Sequence, residues 1–381
     1  MPTRALRWSL LLLALLFFLC SVLLFVPAPA FPLLIVAIVL GEWGHYASLA
    51  ALVFAGLVWR RTPVAAILAL ATALVCLTPA MRATKIGRTL PERCTYAFGA
   101  SSPERGARAP FRLLNLFRRV PTEGVKVSEH LYATAGSKQL KLDLYQSERA
   151  TDSQPIILIV HGGSWVRGSK EELTAINRYL ARAGYAVASI NYRFAPEFPF
   201  PAAVDDSFTA LAFLKAHAAE FHLNVKRIAV IGRSAGGQIA LSVAYAGREP
   251  GIRGVVAFYP PTDLVLGYAN PSPRWVLDSE KVLEDYLGGT PAEKPAEYAT
   301  ASPINFVNAN TPPTLLIHGG MDSVVWPVHS ELLNTRLQQA GRPHLYLSLG
   351  WATHGCDANV SGPSGQLSLY AIDRFLAAVL R

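Results

Sequence analysis

Apolar residues crowd the beginning of this chain before a regular rhythm sets in. Residues 9–26 form an apolar run behind Arg4 and Arg7, and about 18 such residues are enough to cross a bilayer as a helix. Pro32 can open a second helix at its first position, and residues 33–59 make one long or broken span with Gly41, Glu42, Trp43, Gly44 and His45 inside it. Arg60, Arg61, Thr62 and Pro63 then turn the chain into a third span over residues 64–79. From residue 82 to about residue 122 Arg, Pro, Gly and Ser dominate, a basic linker whose short amphipathic piece, residues 111–120, suits a membrane surface.

After the linker the period changes. Alternating strands are expected at residues 125–131 and 139–145, separated by Gly136 and Ser137, which reads as a hairpin. Strands at 156–160, 186–190, 228–231, 254–258, 314–317 and 345–349 then take turns with helices at 170–183, 202–219, 234–245, 328–340 and 367–380. Continuously apolar strands alternating with helices mean an α/β fold with a mostly parallel sheet covered on both faces; the hairpin adds antiparallel strands at an edge. Residues 260–313 are too long for a plain loop and hold a helical stretch at 280–287. Such an insertion is expected to shape a pocket, with Tyr268 and Trp275 as candidate lining. The domain reading is thus 1–81, an α-helical transmembrane region of about three spans; 82–122, the linker; and 123–381, a catalytic domain with an insertion near 260–313.

Composition sharpens this division. The 381 residues are 51% hydrophobic and 16% charged, and the apolar excess lies at one end, where residues 9–79 carry only Glu42, Arg60 and Arg61 as charges. A signal peptide competes for the first run, because Pro27, Ala28, Pro29 and Ala30 resemble a cleavage site. An uncleaved anchor is favoured, since the run exceeds a usual signal core and more apolar sequence follows. The net charge of +9 gathers beside the spans and in residues 82–119, as membrane-surface charge does, and no zinc-finger spacing or long basic run supports nucleic acid binding. Glu42 and His45, ionisable at membrane depth, are read as lying at the interface near a glycine-rich break. Of four cysteines, Cys20 and Cys76 fall within apolar spans, and the sequence does not say whether Cys94 and Cys356 meet.

The candidate chemistry centres on Gly232, Arg233, Ser234, Ala235 and Gly236, directly after the apolar run 228–231. A serine on such a strand-to-helix turn is held in a strained conformation with its hydroxyl clear of the sheet, and the following helix aims its first N–H groups at whatever the serine attacks. A serine hydroxyl also needs a base, a group orienting that base and donors for an oxyanion. His354, in a loop after the last strand, is the best placed of nine histidines. Asp322 follows the strand 314–317, and the order Ser, Asp, His is that of α/β-hydrolases. The backbone N–H groups of Gly162, Gly163 and Ala235 are the expected oxyanion donors. Asp263 also follows a strand but opens the insertion, where capping a turn or helix is the simpler role. His161 and His318 precede glycine turns and are read as fixing them; His217, His222, His329 and His344 are read as surface or packing residues.

These motifs carry a resemblance. From about Gly124 onward the chain is similar to α/β-hydrolases of the carboxylesterase and lipase superfamily, with hormone-sensitive-lipase-like and isoprenylcysteine-methylesterase-like enzymes as nearest relatives. His161, Gly162, Gly163, Ser164 and Trp165 match the family's oxyanion motif, and Gly232 to Gly237 its nucleophile motif. The run from Asn191 to Glu197, continued from Phe200 to Asp206, resembles its structural loop, which makes Arg193, Glu197 and Asp206 scaffold. Two positions depart: Ser164 stands where hormone-sensitive-lipase-like members usually have a third glycine, and Arg233 where they usually have an acidic residue. Both point toward the methylesterase-like or feruloyl-esterase-like branch.

Two functions of different classes follow. The first is a membrane-anchored serine hydrolase cleaving carboxylic esters, with an amidase or formamidase of the same fold as the alternative within enzymes. The second is a non-catalytic membrane scaffold. The expected partners are a small-molecule or lipid ester and the bilayer through the N-terminal helices. No metal, cofactor or nucleic acid is implied, and the oligomeric state is open. Basic residues before the first span and after the second put the catalytic domain on the non-cytoplasmic side if there are three spans; Arg82, Lys85 and Arg88 after the third argue the other way, and splitting the second span reverses the answer.

Overall fold

The structure, a computed structural model, describes residues 4–99, 109–149 and 153–380. Three long apolar helices come first: α1 (Arg4–Ser21), α2 (Phe31–Val58) and α3 (Pro63–Phe98). Each is long and apolar enough to cross a membrane, and together they suggest membrane association. Leu12, Leu16, Leu49, Val53, Leu57, Ile67 and Leu74 point outward from them, as they would toward lipid.

The structure decides one open reading of these helices and changes one expectation. The glycine-rich stretch does not break α2, which runs unbroken through Gly41 to His45. Gly44 serves packing instead: a Cβ there would stand 2.7 Å from the carbonyl oxygen of Cys76 on α3. The residues read as the start of a linker are helical, because α3 continues past Pro79 and Pro91 to Phe98. Tertiary burial explains this, since Ala83, Leu90 and Cys94 pack into the core beside the last helix and Arg93 donates to the carbonyl of Tyr346 at 2.7 Å. Residues 100–108 of the expected linker lie outside the described residues. The amphipathic piece holds a 3-10 turn, Leu113–Phe117.

The sheet follows with β1 (Val125–Ala135), β2 (Lys138–Ser147), β3 (Gln154–Val160), α4 (Thr174–Arg182), β4 (Ala186–Ile190), α5 (Ala202–Ala216), β5 (Leu223–Arg233), α6 (Ala235–Tyr245) and β6 (Ile252–Phe258). The insertion carries α7 (Leu264–Ala269), α8 (Ser279–Leu287) and α9 (Pro295–Ala301); β7 (Thr314–Gly319), α10 (Val328–Gln339), β8 (His344–Leu349) and α11 (Pro363–Val379) complete the fold. The eight strands lie in the order β1-β2-β4-β3-β5-β6-β7-β8, antiparallel from β1 through β4 and parallel from there on. Helix α4 starts later than the pattern suggests, because Lys170 is pulled inward to Asp143 at 2.6 Å and Leu173 takes a left-handed φ of 49°.

Both faces of the sheet are covered. One buries Leu158, Val160, Val230 and Leu316 with α5, α6 and the insertion; the other buries Ile157, Ile231, Ile317 and Leu347 with α4, α11 and the carboxyl half of α3. The parallel strands therefore end together, and the loops after β3, β5, β7 and β8 meet at one edge, where ligands bind in open α/β sheets.

Candidate active site

The turn after β5 sets the geometry. Ser234 has φ 52° and ψ −124°, a strained conformation for a residue with a side chain. The flanking glycines are steric necessities: a Cβ on Gly232 would lie 2.0 Å from the carbonyl oxygen of Gly236, and one on Gly236 would lie 2.2 Å from that of His161. The structure brings the three expected residues together. His354 Nδ1 donates to Asp322 Oδ2 at 2.8 Å, which leaves Nε2 to accept from the Ser234 hydroxyl at 3.0 Å.

Asp322 is fully buried, and its Oδ1 accepts from the N–H groups of Val324 and Val325 at 2.8 and 3.0 Å. Burial works to raise its pKa, yet His354 and His318 outweigh that and hold the carboxyl well below its ordinary range. The sequence reading assigned His318 only to its turn. It also stands 3.3 Å from Asp322 Oδ2, fixed by Val325 O at 2.9 Å and Ser330 Oγ at 2.7 Å. Asp263 is elsewhere, accepting from the Leu266 N–H at 3.0 Å as the cap of α7.

The glycine loop after β3 lies against the elbow. A Cβ on Gly162 would be 3.3 Å from Arg233 O and 3.5 Å from Ser234 Cβ, and Gly163 has φ 109° with Arg167 O filling the place of a side chain. Gly162 thus sits beside Ser234, Gly163 follows it in the same loop, and Ala235 begins α6. His161 stacks on Tyr192 and donates to Gly162 O at 2.7 Å; burial lowers its pKa to about 4, so it stays neutral. Ser164, one of the departures, adopts φ 55° and lines the pocket, while Trp165 donates to Gln238 at 3.0 Å.

The second departure has a partner that the sequence did not reveal. Arg233 is 2% exposed and its Nε donates to Asp357 Oδ2, while Tyr259 donates to Asp357 Oδ1 at 2.5 Å and packs its ring 4.3 Å from that of His354. This buried pair ties the elbow to the histidine loop. In the structural loop, Arg193 holds Asp206 through Nε at 2.9 Å and Nη2 at 2.7 Å, and Glu197 forms a surface pair with Lys138.

The cavity beside Ser234 is small, about 50 Å³, with Trp165, Leu264, Leu277, Leu283, Val324 and Trp326 among its walls. His329, read as packing, is buried and also borders it. The expected lining residues do not reach it. Trp275 is 84% exposed and its carbonyl accepts from the Phe31 N–H at 2.9 Å, while Tyr268 donates to Glu284. Both belong to the insertion, but Tyr268 is turned to Glu284 and Trp275 to the exterior. Cys94 and Cys356 are free thiols, and burial pushes Cys356 well above its ordinary pKa. Glu42 and His45 face the sheet-bearing part of the chain: a Cβ on Gly362 would stand 2.4 Å from Glu42 Oε2, and His45 meets Phe117 edge-on. Among the described residues no cluster of His, Cys, Asp or Glu suits a metal.

The profile of the BD-FAE family matches residues 142–337, just over half the chain and the span from β2 to α10. The chain belongs to the BD-FAE family. It is 27% identical to the probable carboxylic ester hydrolase LipM of Mycobacterium tuberculosis over 76% of this chain and 70% of that protein. To esterase LipC of the same organism it is 31% identical over 63% of this chain and 62% of LipC. Among solved structures it is similar to a bacterial heroin esterase, with a TM-score of 0.57, 25% identity and coverage of 77% of this chain and 93% of that one. The hydrolase domain of this BD-FAE protein is an esterase of the α/β-hydrolase fold.

Proposed function

We propose that the protein is a membrane-anchored serine hydrolase that cleaves carboxylic esters through an acyl-enzyme. The observation carrying this reading is the unbroken chain of contacts from Ser234 through His354 to Asp322. Ser234 Oγ attacks the ester carbonyl while His354 Nε2 takes its proton, and Asp322 holds the imidazole in the required tautomer and stabilises the imidazolium. The N–H groups of Gly162, Gly163 and Ala235 receive the oxyanion. His354 then protonates the leaving alcohol, and water, activated by the same nitrogen, releases the acid. The three apolar helices serve as a three-span anchor. Arg4 and Arg7 before the first and Arg60 and Arg61 after the second favour the cytoplasmic side, which leaves the hydrolase domain on the non-cytoplasmic side.

The test is turnover by the full-length protein of short-chain and long-chain p-nitrophenyl esters, an acetylated sugar and N-formylkynurenine, side by side with Ser234→Ala. Ester turnover that disappears in the variant is the expected result. Activity confined to N-formylkynurenine would move the reading to an amidase, and activity surviving in Ser234→Ala would refute the mechanism. Protease added to intact cells should cut the hydrolase domain; complete protection would refute the three-span topology.

A further inference from the structure

The cavity beside Ser234 and the anchor share a wall. Leu277 and Val324 line that cavity, and together with Val276 they pack against Leu33, Leu34, Ala37 and Ile38 of α2. The depth of this wall follows from the register of the helices. Antiparallel α2 and α3 meet where Gly44 backs onto Cys76 and where Ser48 Oγ donates to Ala73 O at 2.9 Å. Six residues outward from this contact, Ile38 on α2 therefore stands level with Arg82 on α3. At about 1.5 Å per residue, the helix from Pro63 to Arg82 covers about 29 Å, the thickness of a hydrocarbon core. Arg82 marks the outer boundary, its guanidinium 5.2 Å from the ring of Phe25 at the end of the first span. Residues 33–38 then lie between about 0 and 8 Å beyond that boundary, in the headgroup layer.

A separate part of the domain reaches deeper, into the hydrocarbon edge. The 3-10 turn Leu113–Phe117 exposes Leu113, Leu114 and Phe117 by 60%, 69% and 57%. The Phe117 ring lies edge-on to His45 and Tyr46, at 5.1 and 5.5 Å. His45 is seven residues inward of Ile38, about 10 Å inside the boundary, and Arg112, Arg118 and Arg119 flank the turn. An apolar edge with cationic flanks at this level is sunk into a bilayer rather than facing water.

The size of the cavity limits what enters it. A volume of about 50 Å³ is far below the roughly 300–1,000 Å³ of pockets that enclose a drug-sized ligand, so it takes a short acyl group and leaves the rest of an ester outside. We infer that the site deacylates bilayer-resident amphiphiles that carry a short acyl ester at headgroup depth, the apolar remainder staying in the membrane. This rests on the serine hydrolase reading. The bond from Ser234 Oγ to the short acyl carbon forms as the bond from that carbon to the amphiphile's oxygen breaks. The proton taken from Ser234 passes through His354 to the departing alkoxide, and water then frees Ser234 and a short carboxylic acid.

The experiment uses the full chain in phosphatidylcholine and phosphatidylglycerol vesicles with three probes: hexadecyl acetate, its long-acyl counterpart ethyl hexadecanoate, and water-soluble p-nitrophenyl acetate. Hexadecyl acetate is expected to show a kcat/KM at least about tenfold above ethyl hexadecanoate, because only its acyl group fits. Leu113→Ser with Leu114→Ser should lower hexadecyl acetate turnover several-fold and leave p-nitrophenyl acetate turnover unchanged. Equal rates on the two vesicle esters, a long-acyl preference, or a double variant unaffected on hexadecyl acetate would overturn the inference. Absence of p-nitrophenyl acetate turnover by the wild type would overturn the hydrolase reading beneath it.

Discussion

Replacing Asp357 by alanine strands a charge. Arg233 is buried, its Nη1 and Nη2 have no hydrogen-bond partner among the described residues, and its Nε contact to Asp357 is the one ion pair it makes there. The face of Phe258, 5.9 Å away, offers only a weak substitute. Removing one partner of a buried pair costs about 3–5 kcal/mol, and the Tyr259 hydroxyl loses its acceptor for about 1 kcal/mol more. Urea unfolding of the full-length protein in micelles, followed by tryptophan fluorescence, should show Asp357→Ala destabilised by that order. Arg233→Met with Asp357→Leu removes both charges and should recover most of the loss, since an apolar pair of similar volume avoids desolvation. Turnover by Asp357→Ala should also fall, because the Tyr259 ring that braces His354 is released. A cost below about 1 kcal/mol, or a double variant no more stable than the single one, would refute the assignment.

Further predictions concern the site and its acid response. Asp322→Asn should lose kcat by orders of magnitude, as the corresponding change costs about 10⁴ in a serine protease, whereas Asp263→Ala should cost about 1 kcal/mol as a lost cap and spare kcat; a near-wild-type kcat in Asp322→Asn beside a lost one in Asp263→Ala would move the acid to Asp263. Gly163→Ala should abolish turnover, because Arg167 O occupies the space of the new Cβ; wild-type rates would refute the placement of this loop. Burial lowers His161 and His329 from 6.5 to about 4. The unfolded chain therefore takes up protons below pH 6.5 that the folded chain does not, and stability should fall between pH 6.5 and 4 by up to about 1.4 kcal/mol per pH unit for each residue. His329→Gln should reduce that slope in pH-dependent urea midpoints; a flat wild-type profile from pH 7 to 5 would contradict the buried neutral state.

What the sequence made legible was local. Ser234, Asp322 and His354 each lie just past an apolar strand, so a parallel-sheet reading places all three at one edge before any contact is known. Gly232 and Gly236 were readable because a turn this tight admits no Cβ. The Arg233 to Asp357 pair was not, since nothing in either neighbourhood announces a partner 124 residues away. The helix beyond Arg82 was hidden for a related reason: Pro79, Pro91 and several basic residues argue locally for a linker, and only packing of Ala83, Leu90 and Cys94 against distant α11 overrides them. Trp275 and Tyr268 looked like pocket residues by type, but Tyr268 turns to Glu284 and the Trp275 side chain stands exposed, orientations that a strand and helix pattern does not locate.

The continuation of α3 into the core also bears on how the protein is made. Helix α11 leaves the ribosome long after α3, yet the two share one apolar layer. The sheet can form early, but one of its faces stays open until this late segment meets α3. Until the two meet, a chain exposes the apolar faces of α3 and α11 together, a combination that chaperones bind and proteases clear. Truncation before β1 would leave an uncovered apolar strip along α11 and yield aggregate instead of a smaller soluble enzyme. The N-terminal helices thus act as a checkpoint on folding, since the hydrolase completes its core only once α3 is in place.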